Sequence, residues 1–344
     1  MAYLHQENVG VDALIDKLLV SDMEHEDIAS LLNIVFANHD YTEQEVKERA
    51  DRVAKYKIQL DALLLLPKIE QRTPDWYATR QGLITASDFA QALGEGKFGT
   101  KEQLLKKKCG YEEDKFNASA APLKWGTMFE PVASDIYTMR NNMKLLEFGL
   151  LKHPTIDYFG ASPDGVNECG IMVEIKCPFR RKIDGTVPLQ YYYQIQGQLD
   201  VCDLDECDYF ESEFTAFDTV EELKEAGAKF EVGAIIEYPD YVYTYSPVKL
   251  AAAWNTTKLN TWVNKKKVEL GDETKAKAIF YKLDKCNTIR VYKDPNFLTE
   301  KLEMLSVVWE KIKEYRADEE LYNREIKKAA DTVSPYKLKG WAFD

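Results

Sequence analysis

The stretch Ile171-Met172-Val173-Glu174-Ile175-Lys176-Cys177 decides how this chain is read. Five of its seven residues are apolar, the signature of a buried strand. Within it, Glu174 and Lys176 stand two residues apart and so share one face, with Ile175 turned into a core on the other. A carboxylate and an ammonium in such a strand are costly unless they pair with each other or with a metal. Upstream, Ser162-Pro163-Asp164-Gly165 reads as a turn after another apolar run, Tyr158-Phe159-Gly160-Ala161. A hairpin between the two runs brings Asp164 close to Glu174. Two carboxylates, the Ile175 carbonyl and a neighbouring lysine then form a hard-oxygen site for Mg²⁺, able to hold a metal on a phosphate and generate hydroxide.

Outward from this strand the pattern is α/β. Ser87 is expected to cap a helix reaching about Leu93, with further helices over Lys101 to Lys108, Trp125 to Met143 and Pro188 to Cys202. Ile136 and Met139 mark the inner side of the long one. Leu145 to Leu151, Tyr158 to Ala161 and Ile171 to Cys177 read as strands of one sheet, and residues 231–248 as an edge hairpin. Residues 10 to about 66 are expected to be helical. Leu14, Ile15, Leu18 and Leu19 recur at helical spacing, as do Val46, Ala50, Val53 and Ala54, and Thr42 with Glu45 forms a capping box. Pro67 and Pro74 bracket a linker. From Pro247 to Ala330 the expectation is mostly helix, with Trp341 exposed beyond it. These boundaries suggest a helical region 1–70, a core 71–250 and a mostly helical region 251–344 packed on that core.

The chain has 344 residues, 45% of them hydrophobic and 30% charged, with a formal net charge of −13. Such a composition forms a real core and excludes a collagen, a coiled-coil rod and a wholly disordered chain. No apolar run approaches the roughly 18–20 residues of a membrane span, and the N-terminus lacks a signal-peptide pattern, so an intracellular protein without a membrane partner is expected. The six cysteines form no CxxC pair and only four histidines are present, poor material for a zinc site; reduced thiols are expected. At first sight −13 argues against nucleic acid. The acid is concentrated, however: residues 1–70 are net −7 and residues 201–240 net −11, whereas residues 71–200 are neutral and residues 241–344 net +5. The acidic stretch from Asp203 to Glu213 is read as a sheet edge or a partner surface. Arg180-Arg181-Lys182 and Lys106-Lys107-Lys108 could line a DNA path, with Phe179 placed to stack on or wedge between bases. Lys265 to Lys267 are read as surface, and Tyr191 to Tyr193 as packing.

Asp164 followed by Glu174-Ile175-Lys176 resembles the PD-(D/E)xK nuclease pattern. Flanking motifs narrow the resemblance to the lambda-exonuclease-like branch, the YqaJ-like viral recombinases. They are Trp76…Arg80-Gln81-Gly82-Leu83-Ile84-Thr85-Ala86-Ser87, Trp125-Gly126…Glu130, Ser162 to Gly165, Glu174 to Pro178, and Tyr191…Gln194-Ile195-Gln196. All five occur in the family's order, over about residues 72–212. The length is closer to the longer exonucleases of large DNA viruses than to the compact phage enzyme, whose ring-shaped trimer is therefore not carried over.

The resemblance implies a restriction-endonuclease-like fold, a central mixed sheet flanked by helices with helical additions at both ends. It implies an Mg²⁺-dependent exodeoxyribonuclease, with Mn²⁺ as a substitute and two ions per site. It would act 5′→3′ on ends of double-stranded DNA and leave 3′ single-stranded tails for recombination or replication-end processing. Asp164, Glu174 and the Ile175 carbonyl would hold metal, and Glu130 would complete the acidic cluster. Lys176 would orient or deprotonate the attacking water, its pKa lowered by desolvation beside Mg²⁺. Gln194 would fix Lys176 or the nucleophile, with Gln196 structural. Arg80 would clamp a 5′-terminal phosphate, helped by Ser87 and Ser162. A single-strand annealing or DNA-binding protein is the implied partner and, for a viral source, replication sites in the host cytoplasm or nucleus the implied location. An endonuclease or flap nuclease on the same core, or a catalytically silent DNA-binding scaffold, are the competing readings.

Overall fold

The computed structural model describes residues 42–327 apart from 98, 112–120, 254–255 and 270–275, together with the isolated helical positions Ile15, Leu18, Asp27 and Leu31. Leu14, Leu19 and Trp341 lie outside the described residues. Helix α1 (Glu43–Leu64) starts at the expected Thr42–Glu45 capping box. Its buried stripe is Val53, Tyr56, Leu60 and Leu63, whereas Ala54 faces outward. Helix α2 (Pro74–Gln81) follows, then β1 (Ile84–Thr85), a 3₁₀ turn (Ala86–Asp88) and α3 (Phe89–Ala92). Thr85, not Ser87, is the cap here: its N–H and hydroxyl both donate to Asp88 Oδ2. That leaves the Ser87 hydroxyl at the surface. Next come α4 (Lys101–Cys109) and α5 (Ala121–Asn141); Ile136 of α5 is buried as expected, but Met139 is exposed.

Two sheets follow. The small one has the order β1-β4-β3, with β3 at Leu151–Lys152 and β4 at Phe159–Ala161. The large one is mixed and eight-stranded, in the order β10-β8-β11-β7-β6-β5-β2, with β9 paired to β8. Its strands are β2 (Leu145–Leu146), β5 (Gly165–Asn167), β6 (Met172–Lys176), β7 (Glu206–Phe217), β8 (Glu231–Tyr238), β9 (Val242–Tyr245), β10 (Lys249–Leu250) and β11 (Lys277–Tyr292). Strands β6 and β7 run parallel, joined by the crossover helix α6 (Leu189–Cys202). The remaining helices are α7 (Val220–Ala226), α8 (Thr256–Glu269), α9 (Phe297–Ala317) and α10 (Glu319–Tyr322). Among the described residues no helix is long and apolar enough to cross a membrane.

Three expectations are corrected. The hairpin partner of β6 is β5, which starts inside the presumed turn, whereas the 158–161 run belongs to the other sheet. The Asp203 to Glu213 stretch is mostly β7, an interior strand between β6 and β11, not an edge. The tail from 247 onward supplies 16-residue β11, paired with β7 and β8 near the middle of the sheet.

Helices cover both faces of β6. Val173 and Ile175 pack with α5 residues Met128, Phe129, Val132 and Ile136. Met172 belongs to the core built with α6, α3 and α9. Gly197 lets α6 sit close against this layer: a Cβ there would meet Phe159 at 3.0 Å and Ala86 at 3.2 Å. This close seat aims α6 side chains at the Glu174 face of β6.

Candidate active site

Asp164 ends the Ser162–Asp164 link immediately before β5, and the β5–β6 pairing of Gly165 with Val173 sets it beside Glu174. Asp164 Oδ2 accepts a hydrogen bond from the Ile175 N–H at 2.7 Å. Glu174 is fully buried. Its Oε1 accepts from Gln194 Nε2 at 2.7 Å and pairs with the Lys176 ammonium; its Oε2 accepts from Gln198 Nε2 at 2.8 Å. Both glutamines lie on α6, four residues apart and therefore on one helix face. Lys176 also lies 5.0 Å from the Tyr191 ring, so Tyr191 belongs to the site, whereas Tyr193 packs on Phe89 and Phe297. Gln196 turns away: its amide bonds the Tyr292 carbonyl and the Asp294 N–H, the structural role expected of it.

Glu130, half-buried on α5, is partnered by Arg72 at 3.3 Å. Arg72 has φ of +66°, a left-handed conformation costing a non-glycine residue roughly 1–2 kcal/mol. Burial pushes the Asp164 carboxyl well above the usual range, and the charges of Glu174 and Glu130 push the same way, against Lys176 and the Ile175 N–H. Burial also raises Glu130, against the pull of Arg72 and Lys176. Lys176 departs from expectation. Desolvation pulls its pKa down, but the attraction of Glu174 and Asp164 outweighs it and holds the ammonium above the ordinary lysine value.

Among the described residues no three His, Cys, Asp or Glu side chains are placed as a ready metal cage. The donor set nevertheless fits a divalent cation. Asp164 and Glu130 are hard-oxygen groups raised first by burial and further by neighbouring carboxylates, Glu174 on both and Glu130 on Asp164, a charge crowding that a cation would relieve.

A second cluster adjoins the first. Arg80, at the end of α2, donates to Ser87 Oγ at 3.1 Å and lies over the Trp76 ring at 4.3 Å. The Trp76 indole N–H donates to Ser162 Oγ at 3.1 Å. Arg80, Ser87 and Ser162 are therefore joined through Trp76, and Ser162 is two residues from Asp164. Beneath them Lys108 is buried, bonded to Asp88 Oδ2 and to the Arg80 carbonyl, each at 2.8 Å. Lys108 is thus withdrawn from any DNA path.

The 180–182 cluster is likewise divided. Arg181 pairs with fully buried Glu211, and Lys182 with Glu213. Arg180 is exposed and stacks on Phe179, which itself packs on Trp125 at 5.4 Å. Arg72 and Gln198 escape notice in the sequence. Only the i, i+4 spacing of Gln198 from Gln194 could have pointed to it.

Fold and site together define an α/β protein with an acidic pair and a lysine borne on a hairpin of a mixed sheet. Residues 75–205 match the YqaJ-like viral recombinase domain. It is similar to an uncharacterized protein of Acanthamoeba polyphaga mimivirus, 24% identical over 88% of this chain and 62% of the relative. It is also similar to a protein of African swine fever virus, 27% identical over 38% of this chain and 46% of the relative. The chain thus spans less than two thirds of either relative's length. Among solved structures, the alkaline exonuclease LHK-Exo of Laribacter hongkongensis is similar with a TM-score of 0.44 and 20% identity, over 76% of this chain and all of that one.

Proposed function

We propose that this chain is an Mg²⁺-dependent exodeoxyribonuclease that acts on ends of duplex DNA, 5′→3′, and leaves 3′ single-stranded tails for recombination or replication-end processing. The observation that carries the reading is the junction at Ser162 to Asp164, where the Arg80 cluster meets the acidic cluster. A cationic fork beside hydroxyls suits a terminal phosphate, and the carboxylates beyond it suit the next phosphodiester.

Asp164, Glu174, Glu130 and the Ile175 carbonyl would hold the metal. When bound, the metal supplies charge neutralisation at the phosphate and an acidified water. Lys176, held charged by Glu174 and Asp164, would orient the attacking water and neutralise developing charge on the phosphate. Gln194 fixes Glu174, and with it Lys176, by its hydrogen bond. Arg80, Ser87 and Ser162 receive the 5′-phosphate, and Arg180 contacts the backbone outside the site. Within this reading an annealing protein takes up the 3′ tails, and if the source is viral this happens at replication sites in the host cell.

The test uses purified protein, Mg²⁺ and 5′-phosphorylated linear duplex labelled at either terminus, with Asp164→Ala as control. Expected are loss of the 5′ label first, intact closed circular DNA and an inert variant. Equal digestion by wild type and variant would refute the nuclease; cutting of closed circles would replace the exonuclease by an endonuclease.

A further inference from the structure

We infer that Gln198 is a positioning residue that couples occupancy of the terminal-phosphate cluster to the orientation of Glu174. The inference rests on the nuclease reading and specifies how its two clusters communicate. Gln198 is 1% exposed on α6. Its amide nitrogen donates to Glu174 Oε2 at 2.8 Å and lies 3.4 Å from the Ser162 carbonyl, while its Oε1 has no hydrogen-bond partner. The amide is therefore oriented by those two acceptors alone. Of the two contacts the one to Ser162 is long, so it responds most to a shift of Ser162.

Ser162 is also the far end of the phosphate cluster. Its hydroxyl accepts from the Trp76 indole, the indole face carries Arg80, and Arg80 donates to Ser87. A contiguous chain of contacts thus runs from Arg80 through Trp76, Ser162 and Gln198 to Glu174. A phosphate gripped by Arg80 and the Ser162 hydroxyl re-places Ser162, and Gln198 transmits the change to the carboxylate. Gln194 holds the other oxygen of Glu174 from the same helix, so the carboxylate can rotate only as far as Gln198 permits.

The experiment compares duplexes with 5′-phosphate and 5′-hydroxyl ends. For Gln198→Met, close in shape but unable to donate, the kcat ratio between the two substrates should fall by roughly ten-fold or more, the loss of one hydrogen bond to a charged group. KM for the phosphorylated substrate should stay near wild type, because the phosphate ligands are untouched. Trp76→Phe, which keeps a ring under Arg80 but loses the N–H to Ser162, should lower the same ratio. In the double variant the two effects should be non-additive, as expected of members of one chain. An unchanged ratio in Gln198→Met, or additive effects in the double variant, overturns the coupling while leaving the nuclease reading intact. A wild-type protein that cuts neither substrate overturns the nuclease reading, and the coupling with it.

Discussion

Replacing Lys108 by methionine removes the buried cation beneath the Arg80 cluster. Lys108 is 1% exposed and its partner Asp88 4% exposed, with 2.8 Å between them. Breaking a buried ion pair by deleting one partner costs about 3–5 kcal/mol, because an unpaired charge is left in the interior. Two features set the expectation near the lower end. Asp88 keeps the N–H and hydroxyl of Thr85, at 3.1 and 2.7 Å, and Lys107 stands 3.9 Å away. The bond from Lys108 to the Arg80 carbonyl is also lost, a further 1 kcal/mol or so. A loss of about 3–4 kcal/mol is expected in urea unfolding followed by tryptophan fluorescence. Adding Asp88→Asn should restore most of it, since the neutral amide still accepts from Thr85. The pH dependence is a second check. Burial alone would raise the Asp88 pKa, but Lys108, Lys107 and Arg80 hold it well below the ordinary value of 3.8. A depressed folded-state pKa gives stability that is present above the unfolded value and lost as pH falls through the folded one. The gap between wild type and Lys108→Met should therefore narrow as pH falls below about 4, from the unfolded carboxylate value of 3.8 towards the depressed folded one. A cost under 1 kcal/mol, or a double variant no more stable than the single, would refute the argument.

Arg80→Ala should abolish the preference for 5′-phosphorylated ends, a loss of roughly 10- to 100-fold for hydrogen bonds to a charged group, with residual cutting retained; competition between 5′-phosphate and 5′-hydroxyl duplexes reads it. Lys176→Met should lower kcat by roughly 10²–10⁴-fold with little change in duplex affinity, measured by single-turnover cleavage and fluorescence anisotropy. Arg290→Met should destabilise the fold by about 3–5 kcal/mol in the same urea assay, because it strips the cation from buried Asp208 and Glu206, which it holds together across β7 and β11.

The strand that bears Glu174 and Lys176 was legible because it breaks a rule. Glu174 and Lys176 stand in a stretch otherwise fit only for the interior, and a polar pair in such a place needs a reason. Its hairpin partner was not legible, since Gly165-Val166-Asn167 is three residues long and begins inside a turn signature. Strand β11 was hidden differently. Its sequence spreads lysines, an aspartate and an arginine among apolar residues, and the register shift between Leu283 and Lys285 breaks the two-residue period that would have marked it. Gln198 and Arg72 are polar residues whose role comes from what faces them. One meets Glu174 across an α6 seat made possible by Gly197, the other meets Glu130 from a left-handed loop position. Spacing along the chain carries neither fact.

Net charge shows the same limit from the other side. Residues 201–240 hold 13 acidic residues and 2 basic ones, which reads as a surface that repels DNA. Four of those acids, Glu206, Asp208, Glu211 and Glu231, are no more than 5% exposed. Their cations come from elsewhere in the chain: Arg290 holds Glu206 and Asp208, Arg181 holds Glu211, and Arg140 holds Glu231. Acid and base segregated along the sequence are neutralised across the sheet, so much of the deficit in this segment never reaches solvent. The same pairing takes from the surface cations the sequence had offered to DNA, Arg181 and, through Asp88, Lys108. Arg80 hydrogen-bonds Ser87 while also feeling the charge of Asp88, and the exposed Arg180 stacks on Phe179. On the nuclease reading, Arg80 and Arg180 are therefore the cations left to meet a DNA strand at these clusters.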